Sequence, residues 1–144
     1  MTGPDIRQAE KVALKLMQVH EHLEGSHAAL FKTRGLSGPQ YNVLRILRGA
    51  RGEDLCCQDV GRRMLKRVPD VTRLLDRLEQ RGLITRWRSE EDRRVVHTRI
   101  TEEGLALLAD IDGPLAEQIR QEFRAFDDRK LKQLDRLLGA LLSG

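Results

Sequence analysis

The 144 residues suit one domain with a real hydrophobic core, and at 3% aromatic content that core is built mainly from Leu, Val, Ile and Ala. So few rings disfavour a binder that stacks single-stranded bases, and no apolar run approaches the ~20 residues of a membrane span. The formal net charge is only +4, but residues 62–99 hold twelve Lys and Arg against six Asp and Glu, which marks one segment as a polyanion footprint on a near-neutral body.

In chain order, residues 6–32 form a long amphipathic helix with Ile6, Ala9, Ala13, Leu16, His20, Leu23, His27 and Leu30 near one stripe. Thr33-Arg34-Gly35 ends it. Ser37-Gly38-Pro39-Gln40 then opens a second helix as a capping box, which runs through Tyr41, Val43, Leu44 and Leu47 to Gly49. Arg51-Gly52-Glu53-Asp54 is a turn, and a third helix is expected from about Cys57 to Lys66, burying Val60, Met64 and Leu65. A fourth has Val71, Leu74, Leu75 and Leu78 on its inner side, Pro69 in its first turn and Gly82 as a left-handed stop. The period then changes to two: 83–88 and 95–100 read as strands around the charged tip Ser89–Arg94. Thr101 caps a fifth helix to about Phe126, bent at Gly113-Pro114, and Asp127 or Asp128 starts a last one carrying Leu131, Leu134, Leu137, Leu138, Leu141 and Leu142.

The fold class is therefore mainly α with a small β-hairpin wing: a winged helix-turn-helix. The fourth helix is of a size to enter a major groove, with the hairpin beside it on backbone or minor groove, so the partner is double-stranded DNA. The chain reads as one domain over 1–144, with a DNA-binding lobe over about 37–101 and helices over about 6–32 and 102–144 that make a homodimer, because the chain ends carry more apolar surface than the lobe can cover.

These residues resemble the MarR family of bacterial transcriptional regulators along nearly the whole chain. Val71–Glu79 with Gly82-Leu83-Ile84-Thr85-Arg86 is similar to that family's recognition helix and its exit into the wing, and Asp92-Arg93-Arg94 followed by Ile100-Thr101-Glu102-Glu103-Gly104 is similar to its wing signature. The resemblance implies a triangular homodimer, a palindromic operator, and relief of repression by a small aromatic or otherwise apolar effector. Val68 and Cys56 depart from it, each standing where a hydroxyl cap is usual.

Within this frame Asp70, Thr72, Arg73, Arg77, Arg81, Arg93 and Arg94 are the candidate DNA-binding residues. Thr72 and Arg73 are placed at base edges, Arg77 and Arg81 on phosphates, and Arg94 in the minor groove. Arg86 and Asp92 support the wing, with Asp92 orienting either Arg94 or Arg86, and Trp87 anchors the hairpin base. By fold analogy, an effector cleft would use Tyr41 and Arg45, with His20 a further candidate.

No enzyme and no cofactor are expected: the only plausible nucleophiles are Cys56 and Cys57, without a His nearby in sequence or a glycine-rich phosphate loop. His20, Glu24 and His27 share a helical side but lack metal-site spacing, so no metal is assigned. The start MTGPDIRQAEK has no apolar signal region, which places the chain in a reducing cytoplasm with free thiols, away from any membrane. Two alternatives stand beside the ligand-responsive repressor. One is a redox-sensing regulator of the same fold using Cys56 and Cys57 at a helix start; the other is a non-specific architectural nucleic-acid binder.

Overall fold

In the computed structural model, which describes residues 2–144, the Asp5 carboxylate accepts the Arg7 N–H at 3.1 Å and opens α1, Ile6–Lys32. Between Ile6 and His22 only Leu16 is even half-buried; Phe31, at the far end, is the residue that enters the core. Gly35, at φ 71°, turns the chain into α2, Gly38–Gly49. There the expected capping box is complete: Ser37 Oγ accepts the Gln40 N–H at 3.2 Å and Gln40 Oε1 accepts the Ser37 N–H at 2.9 Å. Tyr41, Val43, Leu44 and Leu47 are buried.

Next come β1, Leu55–Cys56; α3, Cys57–Arg63; α4, Val71–Gln80; β2, Ile84–Arg88; and β3, Val96–Ile100. The sheet is antiparallel in the order β1-β3-β2, so the expected hairpin gains a third strand. Thr98 faces Leu55 on one side and Arg86 on the other, while His97 faces Cys56 and Trp87. Along β3, Thr98 and Ile100 turn inward, as period two requires.

Three boundaries differ from expectation. First, α3 stops at Arg63, not Lys66, and Leu65 is 93% exposed rather than buried. The cause is a distant acceptor: Asn42 Oδ1 takes the Leu65 N–H at 2.8 Å, a donor that a continued helix would give to Gly61. Second, Pro69 lies before the helix instead of in its first turn. Asp70 is the N-cap, its carboxylate accepting the Arg73 N–H at 2.9 Å, and a carboxylate with that reach outcompetes proline as a start signal. Third, α5 covers Glu102–Glu122 and ends short of Phe126, because Asp127 must be extended to cap α6, Asp128–Ser143, through the Lys130 N–H at 2.8 Å.

The chain divides into two units, one running to Ile111 and the other Asp112–Gly144. The first has its core at Val43, Leu44, Val60, Leu75, Leu78, Leu108 and Ile111, all fully buried. In the second, α6 has no buried residue, and Leu137, Leu141 and Leu142 are 62%, 64% and 89% exposed. Among the described residues no helix is long and apolar enough to cross a membrane.

Candidate nucleic-acid interface

The inner side of α4 fixes the outer one. Leu75 and Leu78 are fully buried, Val71 and Leu74 half-buried, and the 3.6-residue repeat then sends Thr72, Arg73 and Arg77 to solvent. Among the described residues Arg73 and Arg77 form no ion pair, so their guanidinium groups are available to a ligand. Thr72 Oγ1 lies 3.6 Å from Cys57 Sγ on α3. Asp70, expected among the DNA-binding residues, sits beside them as the cap just described, where a carboxylate also suits the positive end of the helix dipole. Arg81, expected on a phosphate, is committed elsewhere: its guanidinium donates to Gly35 O at 2.7 Å and Arg34 O at 3.5 Å, bolting the end of α4 to the α1–α2 turn.

The same α4 holds the wing. Arg86, on β2, keeps only 17% of its side chain exposed and pairs with Asp76 and with Glu79, the latter at 3.0 Å. Glu79 Oε2 also accepts the Arg86 N–H at 3.1 Å. Burial alone would lower the pKa of this guanidinium, but the hydrogen bonds it donates to Glu79 and Asp76 outweigh it and the net shift is upward. Trp87 packs by His97, ring centroids 5.5 Å apart, and under the Arg99 guanidinium at 5.2 Å. At the tip, Ser89 Oγ accepts the Glu91 and Asp92 N–H groups at 3.2 and 3.3 Å, and Arg88 donates to Arg93 O at 2.8 Å. Asp92 takes the Arg94 backbone N–H and Nε, both at 3.1 Å, and Nη2 at 3.3 Å. Of the two arginines open to it, Asp92 therefore orients Arg94, whose hydrogen bonds hold the Asp92 carboxyl below the usual carboxylate range. Arg94 remains 91% exposed, and Arg93 beside it is exposed as well.

Of the effector candidates, Tyr41 and Arg45 are brought together: Arg45 Nη1 donates to Tyr41 Oη at 3.2 Å, and the buried Tyr41 ring stacks on Phe31 at 3.9 Å. His20 instead pairs with Glu24 at 3.1 Å, and Glu24 also binds Lys66 Nζ at 3.1 Å. Cys56 and Cys57 are free and half-buried. Sequence reasoning missed Asp76 and Glu79 as the partners of Arg86. Their spacing on the polar side of α4, next to a basic strand, was the available signal. It also missed Asn42 and Lys66, whose partners lie too far along the chain to read locally.

Residues 36–96 match the model of the MarR family. The chain is 28% identical over 129 residues to the homoprotocatechuate degradative operon repressor of Escherichia coli, covering 90% of this chain and 86% of that one. It is 31% identical to a MarR transcription factor of Planctomyces limnophilus, with a TM-score of 0.72 over 97% of this chain and 99% of the other. A MepR–DNA complex from S. aureus shares the fold at a TM-score of 0.81 and 20% identity, covering 91% of this chain and 96% of that chain.

Proposed function

The chain belongs to the MarR family, and from that premise we propose that it is a sequence-specific, double-stranded-DNA-binding regulator that represses transcription from a palindromic operator as a homodimer. The observation that carries this reading is the pair of arginines, Arg73 and Arg77, that form no ion pair among the described residues and lie on the outer side of a helix whose inner side is locked into the core, beside a wing that presents Arg94 on a fixed carboxylate. Arg73 is assigned to base edges and Arg77 to phosphate, with Thr72 near Arg73, and Arg93 and Arg94 reach the flanking backbone and minor groove. Asp70 supports the site as a cap, and Arg81 as a brace. The apolar side chains left exposed at both ends of the chain, Ile6, Leu14 and Met17 at one and Leu137, Leu141 and Leu142 at the other, supply the surface for a second copy. Relief of repression is assigned to a small aromatic or apolar effector acting at Tyr41 and Arg45. The E. coli relative is by name the repressor of a homoprotocatechuate degradative operon.

The test is selection of bound duplexes from a random pool, followed by titration of the selected site in fluorescence anisotropy. A regulator prefers its site by roughly 10³-fold or more over random duplex, whereas an architectural binder is salt-steep and sequence-blind. On that site Arg94→Ala is expected to cost at least ~1 kcal/mol of binding while changing stability by less than about 0.5 kcal/mol, since Arg94 is almost wholly exposed. Wild-type affinity in Arg94→Ala would remove the wing from the assignment.

A second reading has one contact in its favour. Because Cys57 Sγ touches Thr72 Oγ1, any bulk added to that thiol presses on the first turn of α4. Redox control then requires peroxide to weaken operator binding in the wild type and to leave Cys57→Ser unaffected; equal sensitivity of the two ends it.

A further inference from the structure

The segment between α3 and the Asp70 cap, residues 64–69, has no place in the reading above, yet it holds the most exposed large apolar side chain among the described residues of the first unit. Leu65 stands 93% in solvent. It is not there by looseness: Asn42 Oδ1 grips its N–H at 2.8 Å, so α2 fixes the backbone that thrusts the leucine out. Around it the sequence reads Arg62-Arg63-Met64-Leu65-Lys66-Arg67, four cations in six residues. Three of them are paired on the protein, Arg62 with Asp59, Arg63 with Glu53 at 3.6 Å, and Lys66 with a residue of α1. Lys66 is held by Glu24 of α1 at 3.1 Å with 69% of its side chain exposed, and the exposed Arg67 forms no ion pair among the described residues. Asp70, the N-cap of α4, is only five residues beyond Leu65, at most about 17 Å of extended chain. The loop therefore lies next to the end of α4 that is assigned to the groove.

We propose that this loop is a third DNA-contacting element, resting on the regulator reading above: Arg67 and Lys66 engage phosphates flanking the α4 half-site, and Leu65 packs on the deoxyribose edge between them. Charge decides the occupant. A leucine set among cations is complementary to a polyanion whose sugars offer apolar surface between phosphates, and not to a neutral or basic protein partner. Glu24 is the internal competitor, an acidic side chain that holds Lys66 until a phosphate displaces it. Surface ion pairs of this kind are weak enough to exchange. Asn42 is a positioning residue: it does not touch DNA but sets where Leu65 stands.

The experiment measures anisotropy of the selected operator duplex against salt, for full-length Lys66→Gln, Arg67→Gln, Leu65→Ser, Glu24→Gln and, as reference, Arg73→Ala. In the homodimer each substitution removes two cations, so each Lys or Arg variant should flatten the slope of log affinity against log salt by about 1.8, at about 0.9 per cation, and weaken binding roughly threefold or more near 0.1 M salt, without changing which operator bases are preferred. Leu65→Ser should weaken binding with an unchanged slope, and Glu24→Gln should tighten it. If the loop variants match the wild type in affinity and slope while Arg73→Ala loses affinity, the loop proposal is wrong and the regulator reading stands. If Arg73→Ala and the loop variants all bind alike, or no duplex is preferred, the regulator reading itself falls.

Discussion

Gly104→Ala is expected to destabilise the first unit by about 3 kcal/mol, at the upper end of what overpacking costs. A methyl group there would press on the Leu83 carbonyl oxygen and sit 2.7 Å from Ile100 Cγ1. The carbonyl cannot step aside, because it accepts the Thr101 N–H at 3.1 Å, and Thr101 is tied in turn through its hydroxyl to Gly82 O at 2.6 Å and to the Gly104 N–H at 3.1 Å. Three elements meet here: the exit of α4, the start of β2 and the first turn of α5. The bare Cα of Gly104 is what lets them close. In thermal unfolding followed by circular dichroism the loss should appear as a fall in Tm of roughly 6–12 °C. Gly25→Ala is the control. That glycine lies inside α1 with nothing near its would-be Cβ, so alanine should stabilise by up to about 1 kcal/mol through helix propensity alone. A Gly104→Ala protein that melts with the wild type would mean the contact relaxes freely.

The contrast between those two glycines shows where sequence is informative. Local chemistry was legible. Ser37 with Gln40, Thr101 with Gly104, Asp127 with Lys130, and Gly82 at φ 73° are satisfied within three or four residues, so residue type and spacing give them away. The period of α4 and the alternation of β3 were legible for the same reason. What failed was mostly non-local; the local exception is Asp70, whose cap on the Arg73 N–H spans three residues but was hidden by Pro69, an equally good start signal in the sequence beside it. Asn42 ends α3 from 23 residues away, and β1 is two residues long, too short for any alternation and visible only through its pairing with β3. The arginines are the sharpest case. Arg73, Arg77 and Arg81 look alike along the chain, basic side chains spaced on or near one helix, and Arg86 reads as wing support without its partners. The fold separates them: Arg81 is spent on carbonyls 46 and 47 positions away and Arg86 on two carboxylates, leaving Arg73 and Arg77 open. A charge count sees the footprint but not which cations are already neutralised within the protein.

That partition sets the other large effect. Arg86→Met is expected to cost about 2 kcal/mol of stability and at least tenfold in operator affinity. Removing one partner of a fully buried ion pair costs about 3–5 kcal/mol because it strands a charge. Here Arg86 is mostly buried, but Asp76 and Glu79 keep 49% and 40% of their side chains in solvent, which lowers the stability cost. The affinity loss has a different origin. Arg86 is the charged link from β2 to α4, and with it gone two stranded carboxylates repel each other and the wing is no longer held at one angle to the helix. Two DNA contacts that act as one binding event at fixed separation then become two weaker ones. Arg86→Lys should fall between wild type and Arg86→Met, since an ammonium keeps the charge but not the fork that serves both carboxylates. The decisive variant is the triple Arg86→Met, Asp76→Asn, Glu79→Gln, which removes the stranded charges. It should recover most of the melting temperature but not the operator affinity. Recovery of both would mean the three side chains serve only stability, and that wing and helix find their spacing on DNA without a pin.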